Sequence, residues 1–357
     1  MKVSIIILNY KQKELTVNCV KSVLSQNYKD FEIILVDNAS KDGSVESLRK
    51  EFGHNPKIKI IESRENTGYT GGNNLGYKYA KGKYIAVLNN DTIVDKKWLV
   101  ELITALESKK NIAMATSQCL NTPSFDNLYK KIKIIQKKPL WTTTILGYPS
   151  NRKIKSKEPV STFAVHGGSF IYKKNIVGVP FDPDYFIYAE ETKLSWLTRL
   201  RGYEIVIAPK SYFFHLGNVV RKKDFKINKY FTFLGERNKI INFLTFYSIK
   251  NLIKLSPLIL LGTIFINFSE LRKIPYRFKS YLWILFHLGW ISKKRREAQK
   301  KRRVKDDDII KNMSCKFYDD YFFSGVAKYL FKILNFLFCI YCRIMLIKTI
   351  EYYEKNT

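Results

Sequence analysis

The sequence predicts an α/β fold with a mostly parallel sheet, followed by a basic, partly apolar helical region. Three observations carry this. Short β-branched runs alternate with amphipathic stretches over the first two hundred residues, polar residues end three of those runs, and the alternation stops near residue 225. Val3-Ser4-Ile5-Ile6-Ile7-Leu8 is a near-continuous apolar run, as expected of a strand covered on both faces. It opens the chain too briefly to be the core of a signal peptide. Leu15 to Leu24 places Leu15, Cys19, Val20, Val23 and Leu24 on one helical face. Phe31 to Val36 is a second strand, Ser44 to Phe52 a helix, Ile58 to Ile61 a third strand and Tyr84 to Leu88 a fourth. Asn9-Tyr10, Asp37-Asn38 and Asn89-Asn90-Asp91 follow the carboxyl ends of three strands, the edge where open α/β sheets bind ligands.

Composition narrows the partners. The 357 residues carry 62 Lys and Arg against 31 Asp and Glu, a net charge of +31, with 46% hydrophobic and 15% aromatic residues. Disorder is excluded by that apolar content. Five scattered cysteines make no disulfide framework and fit a reducing compartment. Cys339-x-x-Cys342 lies in an apolar helix with no second pair or nearby His, so it reads as core or lipid-facing thiols. Arg221 to Lys305 holds 22 basic and 4 acidic residues, a field that attracts nucleic acid, anionic lipid or diphosphate-bearing substrates. Charge alone does not choose among them, but no helix-turn-helix, zinc or aromatic-basic RNA motif accompanies it, so nucleic acid is not expected. Three apolar blocks, Leu252–Phe268, Tyr281–Ile291 and Val326–Ile347, are short or broken by charge for spanning helices. They suit a peripheral or monotopic attachment to an anionic membrane surface, with one or two marginal spans left open.

Four segments can carry chemistry. Asp91 follows a buried strand, where one carboxylate can hold Mg²⁺ or Mn²⁺ if substrate phosphates complete the shell. Asp37 stands where an acidic residue commonly hydrogen-bonds a ribose or base edge. Asn66-Thr67-Gly68-Tyr69-Thr70-Gly71-Gly72-Asn73-Asn74-Leu75-Gly76 is a Gly- and Asn-dense loop opening a helix, neither a Walker loop nor a dinucleotide fingerprint. Glu190-Glu191 opens an amphipathic helix reaching Gly202, where a carboxylate can serve as general base or simply favour the helix dipole.

In this order the motifs resemble the family 2 glycosyltransferases of the GT-A fold, in their rhamnosyltransferase-like branch. The resemblance runs through Val3–Tyr10, Val36–Gly43, Asn66-Thr67-Gly68 with Gly72-Asn73-Asn74, Leu88–Asp91, His166-Gly167-Gly168-Ser169-Phe170 and Glu190-Glu191, covering about residues 1 to 245. It implies a Rossmann-like GT-A domain over 1–245, while charge and the apolar blocks make 246–357 a basic, membrane-associated helical region. By similarity, Asn9, Tyr10, Asp37, Asn66, Gly68, Asn74 and Asn90 bind the nucleotide, with Tyr10 against the base. Asp91 and His215 take the metal position, Asn89 replacing the first acid of the family's Asp-X-Asp.

The helix from Glu190 departs further from the family pattern. Glu191 falls where the catalytic Asp lies, with Glu190 as fallback, but Lys193 replaces a second Asp and Leu197 an Arg, so the surrounding salt bridges should be rebuilt. The implied reaction is inverting transfer from a nucleotide-diphosphate sugar, assisted by Mn²⁺ or Mg²⁺, to a glycan or lipid-linked acceptor. It would occur at the cytoplasmic face of the membrane, in cell-surface polysaccharide or glycoprotein glycan assembly. The altered helix leaves a second reading, a scaffold subunit of a glycan-assembly complex whose catalysis has decayed. A polyanion-binding protein is the third.

Overall fold

A computed structural model describes residues 2–122, 124, 140–152, 156–216, 225–317 and 326–353. Much of the segment after Cys119, which the sequence marks as an uninterpreted excursion, therefore lies outside the described residues. The four expected strands form: β1 (Val3–Asn9), β2 (Phe31–Asp37), β3 (Ile58–Glu62) and β4 (Tyr84–Asn89). Between them lie α1 (Lys13–Leu24), α2 (Ser44–Phe52) and α3 (Gly68–Tyr79). Then come β5 (Thr92–Val94), α4 (Trp98–Glu107), β6 (Ile112–Asn121), the hairpin β7 (Leu140–Thr143) and β8 (Pro149–Arg152), β9 (Val160–Ser161) and β10 (Ser169–Lys173). After these come α5 (Lys174–Val177), α6 (Glu190–Leu200) and β11 (Glu204–His215).

The main sheet runs β3-β2-β1-β4-β10-β6-β11-β5, with β9 beside β11. β3, β2, β1, β4, β6 and β11 point one way, and β10, β5 and β9 run against them. Central β1 and β2 are buried nearly end to end, which is why their sequences are continuous apolar runs. The register sets Asn9 beside Asp37 and Leu8 beside Asn89, so the polar strand ends share one edge. Because β10 is reversed, the 166–168 turn that precedes it reaches this same edge, and the Asn89 amide donates to the Gly168 carbonyl at 3.0 Å.

From residue 225 the described chain is helical: α7 (Phe225–Phe246), α8 (Ile249–Ser269), α9 (Ile274–Phe286), α10 (Leu288–Lys300), α11 (Asp306–Ile310), α12 (Val326–Ile344) and α13 (Ile350–Tyr353). These helices share a core with the sheet domain. Trp196 of α6 stacks on Phe246 at 5.7 Å and meets Tyr247 edge-on at 4.8 Å. The same cluster takes in Ile145, Phe163, Leu258 and Phe338. The first apolar block lies within α8, which contains Pro257, the second is divided between α9 and α10, and the third contains α12. Among the described residues α8 is the one helix long and apolar enough to cross a membrane.

Part of the basic run 293–305 turns inward. Arg295, Gln299 and Arg302 donate to main-chain carbonyls of residues 244–247, capping the carboxyl end of α7. A third thiol also appears beside the Cys-x-x-Cys pair, because Cys315 lies 3.1 Å from Cys339, sulfur to sulfur.

Candidate active site

Two groups of side chains occupy the carboxyl edge. The first is a buried chain linking the ends of β1, β2 and β4. Asn9 donates to Asp37 Oδ1 at 2.6 Å and accepts from the Thr16 hydroxyl at 2.7 Å, while Asn90 donates to Thr16 at 2.9 Å. Asp37 also accepts the Ser40 main-chain N–H at 2.9 Å and the Ser40 hydroxyl at 2.6 Å. Asn9 and Asp37 are thus tied to each other and buried, whereas Tyr10, the next residue, is 41% exposed with the Lys11 ammonium 5.4 Å from its ring centre. An exposed aromatic face above a fixed polar floor can stack a flat ring.

The Asn- and Gly-rich loop is held by Asn38. Its amide donates to Asn66 Oδ1 at 2.9 Å and accepts the Thr67 N–H at 3.2 Å. Gly68 adopts φ +71°, and a Cβ there would meet the Phe186 carbonyl at 2.5 Å, so only glycine fits. Asn74 bonds both the N–H and the carbonyl of Phe181, at 3.1 and 2.8 Å. These residues fasten α3 to the segment that leads into α6.

The second group surrounds Tyr69, whose hydroxyl donates to the Gly167 carbonyl at 2.8 Å. Burial raises the Tyr69 phenol well above its ordinary pKa, and the charges of Glu190, Glu191 and Asp91 act in the same direction. Glu191 lies against Gly167, where a Cβ would stand 3.6 Å from its carboxyl carbon. Glu190 is buried beside it at the start of α6. The backbone delivering the two acids is strained: Phe186, Tyr188 and Ala189 have φ of 59°, 73° and 61°. Residues of α7 hold it there. Asn238 donates to the carbonyls of Tyr185, Ile187 and Tyr188 at 3.0, 3.1 and 2.8 Å, and Asn242 to that of Ala189 at 3.1 Å.

Asp91 and His215 come together because β5 pairs with the end of β11. His215 Nε2 stands 3.2 Å from Asp91 Oδ1, and the Leu216 N–H donates to the Asp91 carbonyl at 3.1 Å. Donors about 3.0 Å apart are what adjacent positions of an octahedral shell with ~2.1 Å bonds require. The Asn89 side-chain oxygen is buried with no hydrogen-bond partner, a further neutral donor just before Asp91 in the chain. The described residues offer no group of three His, Cys, Asp or Glu that could hold a metal ion. The pair could therefore supply two ligands to a divalent cation only if the others came from a bound substrate. His166 sits edge-on to His215 with ring centres 6.2 Å apart and accepts the Gly168 N–H on Nδ1 at 3.0 Å. Burial lowers its pKa to about 3, with the neighbouring His215 acting in the same direction, so it is neutral.

Lys193 leaves this cluster. It pairs with Asp182, which Lys294 of α10 also reaches at 2.6 Å while contacting Asp184 at 2.7 Å. Lys193, which departs from the family pattern, is thus held in an ion pair of its own, on an Asp182 shared with Lys294. Sequence reasoning missed Tyr69, His166, Asn238 and Asn242. The first two stand inside motifs it had already singled out.

Residues 4–178 match the family model described as glycosyl transferase family 2. The chain is 29% identical over 110 residues to an uncharacterized glycosyltransferase of Haemophilus influenzae, covering 31% of this chain and 34% of that protein. It is 31% identical over 160 residues to an uncharacterized glycosyltransferase of Rickettsia bellii, covering 41% and 22%. The aligned part is thus about a third or less of the length of these curated relatives. Among solved structures it resembles GalNAc-T7 with UDP, GalNAc and Mn²⁺, at a TM-score of 0.56 and 16% identity over 70% of this chain and 48% of that one. It also resembles S. aureus TarS 1-349 with UDP-GlcNAc, at 0.52 and 14% over 84% and 90%. At these identities the likeness is one of fold, the GT-A fold.

Proposed function

We propose that this chain, whose residues 4–178 match glycosyl transferase family 2, transfers a sugar, with inversion, from a nucleotide-diphosphate donor to a hydroxyl of a glycan or lipid-linked saccharide. One observation carries this reading: Glu191 rests on Gly167, whose neighbour His166 lies edge-on to His215 of the Asp91–His215 pair, at the sheet edge where Tyr10 is exposed beyond the Asn9–Asp37 network. The UDP and UDP-GlcNAc of the two related structures accord with a nucleotide-sugar donor.

The acceptor hydroxyl attacks the anomeric carbon from the face opposite the diphosphate. As the new C–O bond forms and the bond to the phosphate oxygen breaks, Glu191 accepts the hydroxyl proton and the nucleoside diphosphate departs with the bonding pair. Asp91 and His215 would hold a divalent cation, which supplies charge neutralisation for the leaving diphosphate. Tyr69 fixes the Gly167 turn against which Glu191 rests, and the buried, neutral His166 adds no positive charge beside the Asp91–His215 pair. Tyr10 stacks the nucleotide base, with the 66–68 turn closing over it. The acceptor lies at an anionic membrane surface, on its cytoplasmic face, in the assembly of a surface polysaccharide or glycoprotein glycan.

Calorimetric titration with UDP-, GDP- and dTDP-sugars, with Mn²⁺ or with chelator, tests the reading. Binding of one donor that weakens under chelation is expected. A folded protein that binds none of them would overturn it and favour the scaffold alternative.

A further inference from the structure

Helices α8, α9 and α12 each carry two apolar stripes. The inner stripe of α8 builds the shared core: Leu255 and Leu258 are buried, Gly262 faces Leu146, and Phe265 meets Phe331 of α12 at 4.4 Å. The outer stripe, Ile249, Ile253, Leu260, Ile264 and Phe268, is exposed at helical spacing. On α9 the exposed positions are Ile274, Phe278, Leu282, Leu285 and Phe286, the last 82% exposed. On α12 they are Leu330, Ile333, Leu337, Ile340 and Ile344. The three helices are neighbours, since Tyr341 of α12 donates to the Lys254 carbonyl at 2.8 Å and Arg277 of α9 to the Ile266 carbonyl at 3.1 Å. So large an apolar surface needs a cover.

We infer that α8, α9 and α12 together form a lipid-docking face, and that α8 lies along an anionic leaflet instead of crossing it. Charge chooses lipid over protein. Residues 249–286, which span α8 and α9, hold 6 Lys and Arg against 1 acid, and that acid, Glu270, is engaged by Lys273 and Arg277. Lys250, Arg272, Lys279 and Lys332 are exposed between the apolar positions. A protein interface excludes lysine from its centre, whereas a headgroup layer receives it while the stems lie on apolar surface.

Packing chooses the orientation. The contacts from Lys254 to Ile266 occupy ~18 Å of helix at 1.5 Å per residue, more than half of a ~30 Å hydrocarbon layer. Throughout that length one side of α8 is fixed to the core that also holds Trp196 of the candidate catalytic helix. Crossing would draw that core, with the buried Arg277 guanidinium, into hydrocarbon. This inference deepens the membrane side of the proposed function, but it requires no donor to be bound.

The full chain is sedimented with preformed vesicles of phosphatidylcholine alone or mixed with phosphatidylglycerol, then treated with external protease. Expected are binding favouring the anionic vesicles by about tenfold or more at low salt, and no protected fragment. The Phe268→Asp/Phe286→Asp double variant should bind at least about tenfold more weakly, with its thermal unfolding and donor binding unchanged. A protected fragment over Ile249–Phe268 would overturn the orientation. Equal binding to both vesicles, undiminished binding of the double variant, or lipid-independent dimers that bury the face would overturn the lipid surface. Loss of donor binding in the parent chain concerns the transferase reading and leaves the vesicle result standing.

Discussion

Replacing Asn238 should uncouple the candidate acids from the rest of the site. Three residues before Glu190 hold left-handed φ without being glycine, each at a cost of about 1–3 kcal/mol, so the loop relaxes unless it is held. Asn238 faces three of its carbonyls, but one amide has two hydrogens, so about two full bonds are lost on truncation, at ~0.5–1.5 kcal/mol each. Buried carbonyls left unpaired bring the total for Asn238→Ala to roughly 2–4 kcal/mol. Asn238→Asp keeps the shape and turns the donor into an acceptor among carbonyls. Both variants should lower turnover at least about tenfold, which needs only ~1.4 kcal/mol of lost positioning. Nucleotide affinity should fall less than turnover, because Asn9 and Asp37 are held by Thr16 and Ser40 and not by this loop. Release of nucleoside diphosphate gives turnover and calorimetry gives affinity. If Asn238→Asp turns over within twofold of the parent, the loop does not depend on this clamp and the argument fails.

Asp91→Ala should reduce turnover by about 10² or more while affecting donor affinity less, since charge neutralisation matters most as the diphosphate leaves; steady-state kinetics beside calorimetry separates the two. The Lys193 and Lys294 ammoniums outweigh burial and lower the pKa of Asp182 to about 2. A depressed carboxyl stabilises fully above its unfolded value near 3.8 and loses that contribution as pH falls toward 2, so thermal melts of Asp182→Asn should lack part of the parent's decline across that interval. Gly68→Ala puts a Cβ 2.5 Å from the Phe186 carbonyl at a left-handed φ, so its unfolding midpoint and its turnover should both fall. With Cys315 and Cys339 sulfurs 3.1 Å apart, the thiol oxidant diamide should join them in a disulfide visible by peptide mapping, in preference to Cys119.

What was legible in the sequence follows from how each element signals itself. β1, β2 and β4 are apolar runs rich in β-branched residues that end in Asn or Asp. β6 and β10 give little warning because they pack through small and polar residues: Ser117 bonds Ser211 at 2.8 Å, and the Thr116 hydroxyl donates to the Ser169 carbonyl at 2.7 Å. Asp91 was visible as a strand end, but its distance to His215 depends on the antiparallel pairing of β5 with β11, 120 residues away in the chain. Lys193 and Leu197 could be seen as departures, while the compensating Lys294 lies in another region altogether. Asn238 gives no sequence signal, since an asparagine within a helix is unremarkable until the loop it faces is known. Cys315 joins the Cys-x-x-Cys pair only through folding.

The stacking of Trp196 between the sheet and the 246–247 corner also limits how the two parts of the chain can be exchanged. A sheet domain whose helix α6 is walled by its own carboxy-terminal region cannot accept another relative's tail as a cassette. The donor tail would need a ring at 246, a second at 247 and side chains that cap the end of α7, all in the same positions. Grafts that seek a new membrane address or acceptor should therefore keep residues 244–247 and the inward positions of α10, and vary only the outer stripes.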